Sequence, residues 1–160
     1  MSDFVLIQLR DALITSLKAA NTAAGQNVIK QSDEAQDDSQ CPYIMVVLGD
    51  DDAETDSING SSSLTVPAIL ESLTANIDIY CVVKQVDDAE KAAYNLRSEV
   101  EAALLGTYTG KSQGGKVSRM IRRGGSPTQD LSTDREVFMV RVRFQMEIMH
   151  LESQPTSFAY

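Results

Sequence analysis

Histidine, tryptophan and cysteine are nearly missing from this chain, which has one His, no Trp and two Cys. With His150 as the single imidazole, a Ser-His-Asp triad, a Cys-His pair or a multi-histidine metal site would depend on one residue at a strand end. His150 is therefore read as a surface or packing residue, and no catalytic residue, metal ligand set or cofactor is assigned. Cys41 and Cys81 each sit beside a predicted strand and read as buried free thiols, not as a disulfide or a metal pair. Positive charge is also scarce: 14 Lys and Arg stand against 23 Asp and Glu, a net charge of −9. That balance argues against a protein that grips nucleic acid by neutralising phosphates, and it leaves open one that DNA must pass without sticking. Nothing approaches the roughly 18 apolar residues of a membrane span, and the N-terminus has no secretory signal pattern. The chain is read as cytoplasmic, with no membrane partner.

What is present is alternation. From Arg135 to Met149 the even positions Phe138, Val140, Val142, Phe144, Met146 and Ile148 are all apolar, a period of two that predicts a long half-buried strand. Its other face carries Arg141, Arg143, Gln145 and Glu147. A second such strand is predicted from Ala68 to Val83, where Leu73, Ala75, Ile77, Ile79, Cys81 and Val83 alternate with Thr74, Asn76 and Asp78. Two amphipathic helices are expected. One runs from Asp3 to Ala20 on the stripe Val5, Leu6, Leu9, Leu13 and Leu17; the other follows Asp87 and Glu90, an acidic capping box, on the stripe Ala89, Ala93, Leu96, Val100 and Leu104. Shorter strands are expected at 27–29, 43–48 and 116–123. Gln31 to Gln40 reads as a solvated loop, Gly49 to Pro67 as a long exposed loop or a hairpin arm with Asn59-Gly60 at its tip, and Gly124 to Asp134 as another loop. At 160 residues, 42% hydrophobic and 23% charged, this is one globular domain spanning 1–150. Its expected class is α+β: a mostly antiparallel sheet of about four to five strands with two helices packed on one face. Residues 151–160 read as a frayed tail, with a strap onto a neighbouring subunit as the alternative.

The acidic run Asp50, Asp51, Asp52, Glu54 and Asp56 invites a calcium reading. An EF-hand loop beginning at Asp50 needs Gly at its sixth position and Glu at its twelfth; Thr55 and Ser61 stand there, so the run reads as a solvated acidic loop. Gly114-Gly115 and Gly124-Gly125 lack phosphate-loop spacing and read as turns. The concentrated positive feature is Arg119, Arg122 and Arg123, joined by Arg135, Arg141 and Arg143 downstream. No aromatic residues interleave on that face to stack bases, so salt bridges and subunit contacts are favoured over nucleic acid.

The helix LRDALITSLKAA, the strand PYIMVVLGD, the strand LTANIDIYCVV, the helix DDAEKAAYNLRSEVEAALLG and the strands VSRMIRRGG and FMVRVRFQMEI follow one another in an order that resembles the tail terminator or tail completion (minor tail) proteins of long-tailed bacteriophages. The resemblance runs from about Leu6 to Met149 and rests on the order of elements, with no residue carried over as a site. It implies a non-enzymatic virion protein, assembled in the host cytoplasm, that forms a ring, commonly a hexamer, at the head-proximal end of the tail tube. There it would stop tube polymerisation and dock the head or neck. The implied partners are other copies of the chain, the tail tube protein, the head-proximal neck or connector protein, and DNA that passes through the lumen without specific binding. A ring needs two different faces on each subunit, and acidic loops with a basic strand pair could supply them. The arm carrying Asp50, Asp51, Asp52, Glu54 and Asp56 is the candidate for one subunit-interface or lumen surface, and Arg119, Arg122, Arg123, Arg141 and Arg143 for the complementary one. Another neck or head-tail joining protein, a tail tube subunit and a tail assembly chaperone are the nearest alternatives; a small enzyme or ligand-binding domain is the distant one.

Overall fold

The computed structural model describes residues 4–31, 40–57, 69–84, 87–105, 117, 119–129 and 137–151. The elements run α1 (Val5–Ala19), β1 (Val28–Lys30), β2 (Tyr43–Ser57), β3 (Ile69–Lys84), α2 (Ala89–Leu105), β4 (Arg119–Gln129) and β5 (Val137–Leu151). The five strands form one sheet in the order β1-β2-β3-β5-β4. β1 runs parallel to β2, and the other three pairings are antiparallel. The expected class is what the chain adopts: α+β, with a mostly antiparallel sheet and both helices on one face.

The two alternating strands lie at the centre. β3 and β5 pair along their whole lengths, from Leu70 opposite Leu151 to Lys84 opposite Val137. Residues directly opposite in an antiparallel pair share a face, so Leu73, Ala75, Ile77, Ile79 and Cys81 line up with Ile148, Met146, Phe144, Val142 and Val140. All are buried, and the stripes of both helices pack on them in a single core with Val5, Leu9, Leu13, Leu17, Ala93, Leu96, Val100 and Leu104. A stripe of leucines every three or four residues can bury itself only against such a flat apolar face, which is why both helices lie on this side.

Three expected boundaries were wrong. β2 does not stop at Leu48 but continues through the acidic residues to Ser57, so Asp50, Asp51, Asp52, Glu54 and Asp56 belong to a strand and not to a loop. The reason lies in β3, a 16-residue central strand whose far half would otherwise leave a row of backbone groups without partners. The register Ser57 opposite Ile69 makes β2 and β3 a hairpin arm; its tip, with Asn59-Gly60, lies outside the described residues. Among the described residues β1 reaches only as far as Val46, so beyond it β2 is a sheet edge, and carboxylates there discourage edge-to-edge pairing. β4 likewise runs through Gly124-Gly125 to Gln129, and the glycines form a bulge inside the strand, not a turn: the register jumps between Arg122 and Gly125. Gly124 has φ +90, the left-handed region that glycine adopts without strain. Bulge and Pro127 together blunt the other sheet edge. Helix α2 starts at Ala89, and the Ala92 N–H donates to the Asp88 carbonyl, so Asp88 and not Asp87 flanks it.

Among the described residues no helix is long and apolar enough to cross a membrane. Neither cysteine forms a disulfide among the described residues; Cys41 is half-buried and Cys81 buried. Burial pushes the Cys81 thiol up to about 12, so the nucleophilic thiolate is scarce at pH 8. Alkylation with iodoacetamide at pH 8 is expected to leave Cys81 unmodified in the native protein and to label it readily in denaturant, with peptide mass spectrometry as the readout.

Candidate functional site: the open face of the sheet

Among the described residues no helix covers the second face of the sheet, and its character changes along the strands. At one end Tyr43, Val82 and Val137 are buried, with Ile29, Cys41, Met45, Tyr80 and Met139 packed around them, in a small apolar cluster separate from the main core. Further along, β3 contributes Asp78, Asn76 and Thr74, opposite Arg143, Gln145 and Glu147 of β5.

Asp78 is 6% exposed, an unusual burial for a carboxylate. Its two oxygens accept from Nε and Nη2 of Arg143, both at 2.8 Å. This fork-to-fork geometry is the strong form of the ion pair. The Asp78 hydrogen bond and charge raise the Arg143 pKa, with a smaller contribution from Asp50. Next to it, Nε of Arg123 donates to Oε1 of Gln145 at 2.7 Å, and Nη2 of Arg123 reaches the same oxygen. Nε of Arg141 is buried and has no hydrogen-bond partner among the described residues. Arg123, Arg141 and Arg143, with Asn76, Gly124, Gly125 and Ser126, surround an open depression of about 460 Å³. Arg123 is also shared with a neighbouring depression of about 250 Å³ lined by Thr74, Arg119, Ile121, Gln145 and Glu147.

Four of the five candidate arginines thus meet on one face: Arg119, Arg123, Arg141 and Arg143. Arg122 does not join them. Its register partner is the buried Phe144, so it faces the helices, where Nη1 donates to Glu101 of α2 at 2.6 Å. Arg97 donates to the other oxygen of Glu101 at 2.8 Å. Burial alone would raise the Glu101 pKa, but the hydrogen bonds and charges of Arg97 and Arg122 outweigh it and lower it from 4.5. A carboxyl with a depressed folded-state pKa contributes stability that is complete above its unfolded value and is lost as pH falls through the folded one. Between pH 5 and 3 the unfolding free energy of E101Q is therefore expected to fall less steeply than that of the wild type, as denaturant titrations at each pH would show.

Asp50, Asp51 and Asp52 are exposed. Asp52 is opposite Thr74 and shares the open face; Asp51 is opposite Ala75 and faces the helix side. Glu54 and Asp56 pair with Ser72 and Leu70 in the backbone register. Among the described residues no three His, Cys, Asp or Glu groups stand together as a metal site. Among the described side chains of the open face, Asp52 stands on the β2 side and Arg119, Arg123, Arg141 and Arg143 on the β5 and β4 side, with Asp78 and Glu147 among the arginines.

Against known structures, the chain matches one described as the virion of a native gene transfer agent (GTA) particle, with a TM-score of 0.55 and 13% identity. The two share a fold. The likeness covers 89% of this chain and 95% of the virion chain. A second solved chain, covered over 93% of its length, reaches a TM-score of 0.39, too low to carry an argument. No family model matches, and no curated protein does.

The Asp78–Arg143 pair and the orphan Arg141 Nε were not anticipated. Their signal was present as parity: Asp78 lies on the polar side of one alternating strand and Arg143 on that of the other. Only the register makes them neighbours.

Proposed function

We propose that this chain is a structural component of a phage-like virion, and specifically a subunit of a homo-oligomeric ring that caps a tail tube, stops its polymerisation and presents a docking surface for the head or neck. The observation that carries this is the open face. One flank of the sheet is acidic, the other basic, and neither helix covers the space between, which suits a heterologous interface in which the β2 flank of one copy meets the β4–β5 flank of the next. A rotation that closes turns such contacts into a ring. The shared fold with a gene transfer agent virion chain and the order of elements favour a virion setting over an enzyme. The acidic balance of the chain suits a lumen crossed by DNA, since inward carboxylates repel phosphates.

Native mass spectrometry and light scattering across protein concentration and salt test the ring. A discrete oligomer that weakens with salt supports it. A monomer under all conditions, including in the presence of tail tubes from the same phage, contradicts it.

A further inference from the structure

We infer that the depression between β4 and β5 is a carboxylate socket, filled by an aspartate from the β2–β3 arm of a second copy of this chain. The inference rests on the ring reading and names the contact that would hold the ring together.

The socket is incomplete in one copy. Of its three guanidinium groups, Arg143 is held by Asp78 and Arg123 by Gln145, whereas Nε of Arg141 is buried with no partner among the described residues. Buried donors almost always find an acceptor, so Arg141, which lines the open depression, is where the site is unfinished, and a carboxylate entering there would draw its guanidinium into a pair. Space for it exists at the bulge: an added Cβ at Gly124 would meet nothing within 4 Å. The local balance calls for an anion of small charge. Three arginines face the depression; Asp78 pairs with Arg143 and Asp50 adds a smaller interaction with it, which neutralises only part of their charge.

Among the described side chains of the chain's own arm, Asp52 stands too far off to supply that anion. Asp52 lies in the cross-strand row of Thr74 and Glu147. Arg141 is six residues away from Glu147 on β5, about 20 Å along the strand, twice the distance over which exposed charges interact at physiological salt. Asp50 lies nearer and already acts on Arg143. The arm of another copy has the right chemistry: from Asp50 to Ser57 five of eight residues are acidic and none is basic. Nucleic acid is the weaker occupant, because a phosphodiester chain tracking across this face would also meet Asp78, Glu147 and Asp52. A single side chain inserted into the depression avoids them.

The test uses two charge reversals of the whole chain, R141E in the socket and D51K/D52K in the exposed part of the arm. Native mass spectrometry is the readout, and circular dichroism with a thermal melt confirms that each variant is folded. Each variant alone is expected to lose assembly at least tenfold in the concentration it requires. A 1:1 mixture is expected to recover assembly, because every contact between unlike copies is complementary again, and so is the combined variant R141E/D51K/D52K. The arm variant keeps the proposal testable should R141E fail to fold. Assembly of R141E or of D51K/D52K as strong as that of the wild type overturns the socket while leaving the ring standing. Loss in both without recovery in the mixture or the combined variant overturns it as well. So does binding of a short single-stranded oligonucleotide that R141E abolishes while assembly is unchanged. A wild-type protein that never assembles overturns the ring and the socket together.

Discussion

Phe144→Ala is expected to destabilise the protein by about 3–5 kcal/mol, the range for removing a fully enclosed aromatic side chain. Phe144 is 0% exposed and sits in the middle of β5, opposite Ile77 of the neighbouring central strand and beneath the helices. Its neighbours belong to elements pinned on both sides, β5 between β3 and β4, and the helices by leucine stripes. Collapse into the vacated space would require several of them to move, so the cavity stays largely open and the loss falls toward the upper end. For a chain of this length each kcal/mol corresponds to roughly 2–4 °C in Tm, so a drop of about 10 °C or more is expected. A calorimetric melt of wild type and variant checks it. Phe144→Leu, which keeps most of the volume, should lose far less.

Gly125→Ala is expected to be the second most damaging single change, although glycine-to-alanine substitutions in strands are usually mild. The added Cβ would collide with the backbone carbonyl oxygen of Arg141 and come within 2.8 Å of Nη1 of Arg97. The arginine can swing away; the carbonyl cannot move without pulling β5 out of register. A loss of about 1–3 kcal/mol is expected, the magnitude of overpacking in a site that cannot relax. The bulge also sets the phase of β4: below it Met120 and Arg122 face the helices, and above it Ser126 comes opposite Arg141 on the open face. Gly125→Ala should therefore disturb the arginine depression as well as the fold. Gly124→Ala, strained by its φ of +90 but with open space around its Cβ, serves as the comparison. Denaturant titrations of the two variants separate collision from backbone strain. If both lose the same amount, the Arg141 carbonyl is not what excludes a side chain at 125.

Elements whose own side chains alternate were legible in the sequence. β3 and β5 declare their buried faces residue by residue, and the leucine stripe of α1 and the alanine–leucine stripe of α2 fall where the helices are. What sequence hid was structure imposed by a neighbour. The half of β2 from Asp50 to Ser57 has the composition of a loop, and it is a strand because β3 lies alongside and needs a partner. Gly124-Gly125 and Pro127 look like a turn, and they continue β4 because a bulge absorbs the glycines and a sheet edge tolerates a missing donor. The site was legible in the same uneven way. Alternation placed Arg141 and Arg143 on the polar side of β5, but only the pairing of β5 with β3 and β4 joins Arg143 to Asp78, gathers Arg119 and Arg123 beside them, and turns Arg122 toward Glu101.

The proposed tail termination is tested most directly by electron microscopy of phage-like particles assembled without this protein. Tubes of uneven, excessive length lacking heads, restored to uniform length and head attachment by adding the purified protein, are the result expected of a terminating ring. Tails of normal length joined to heads in its absence would contradict that role.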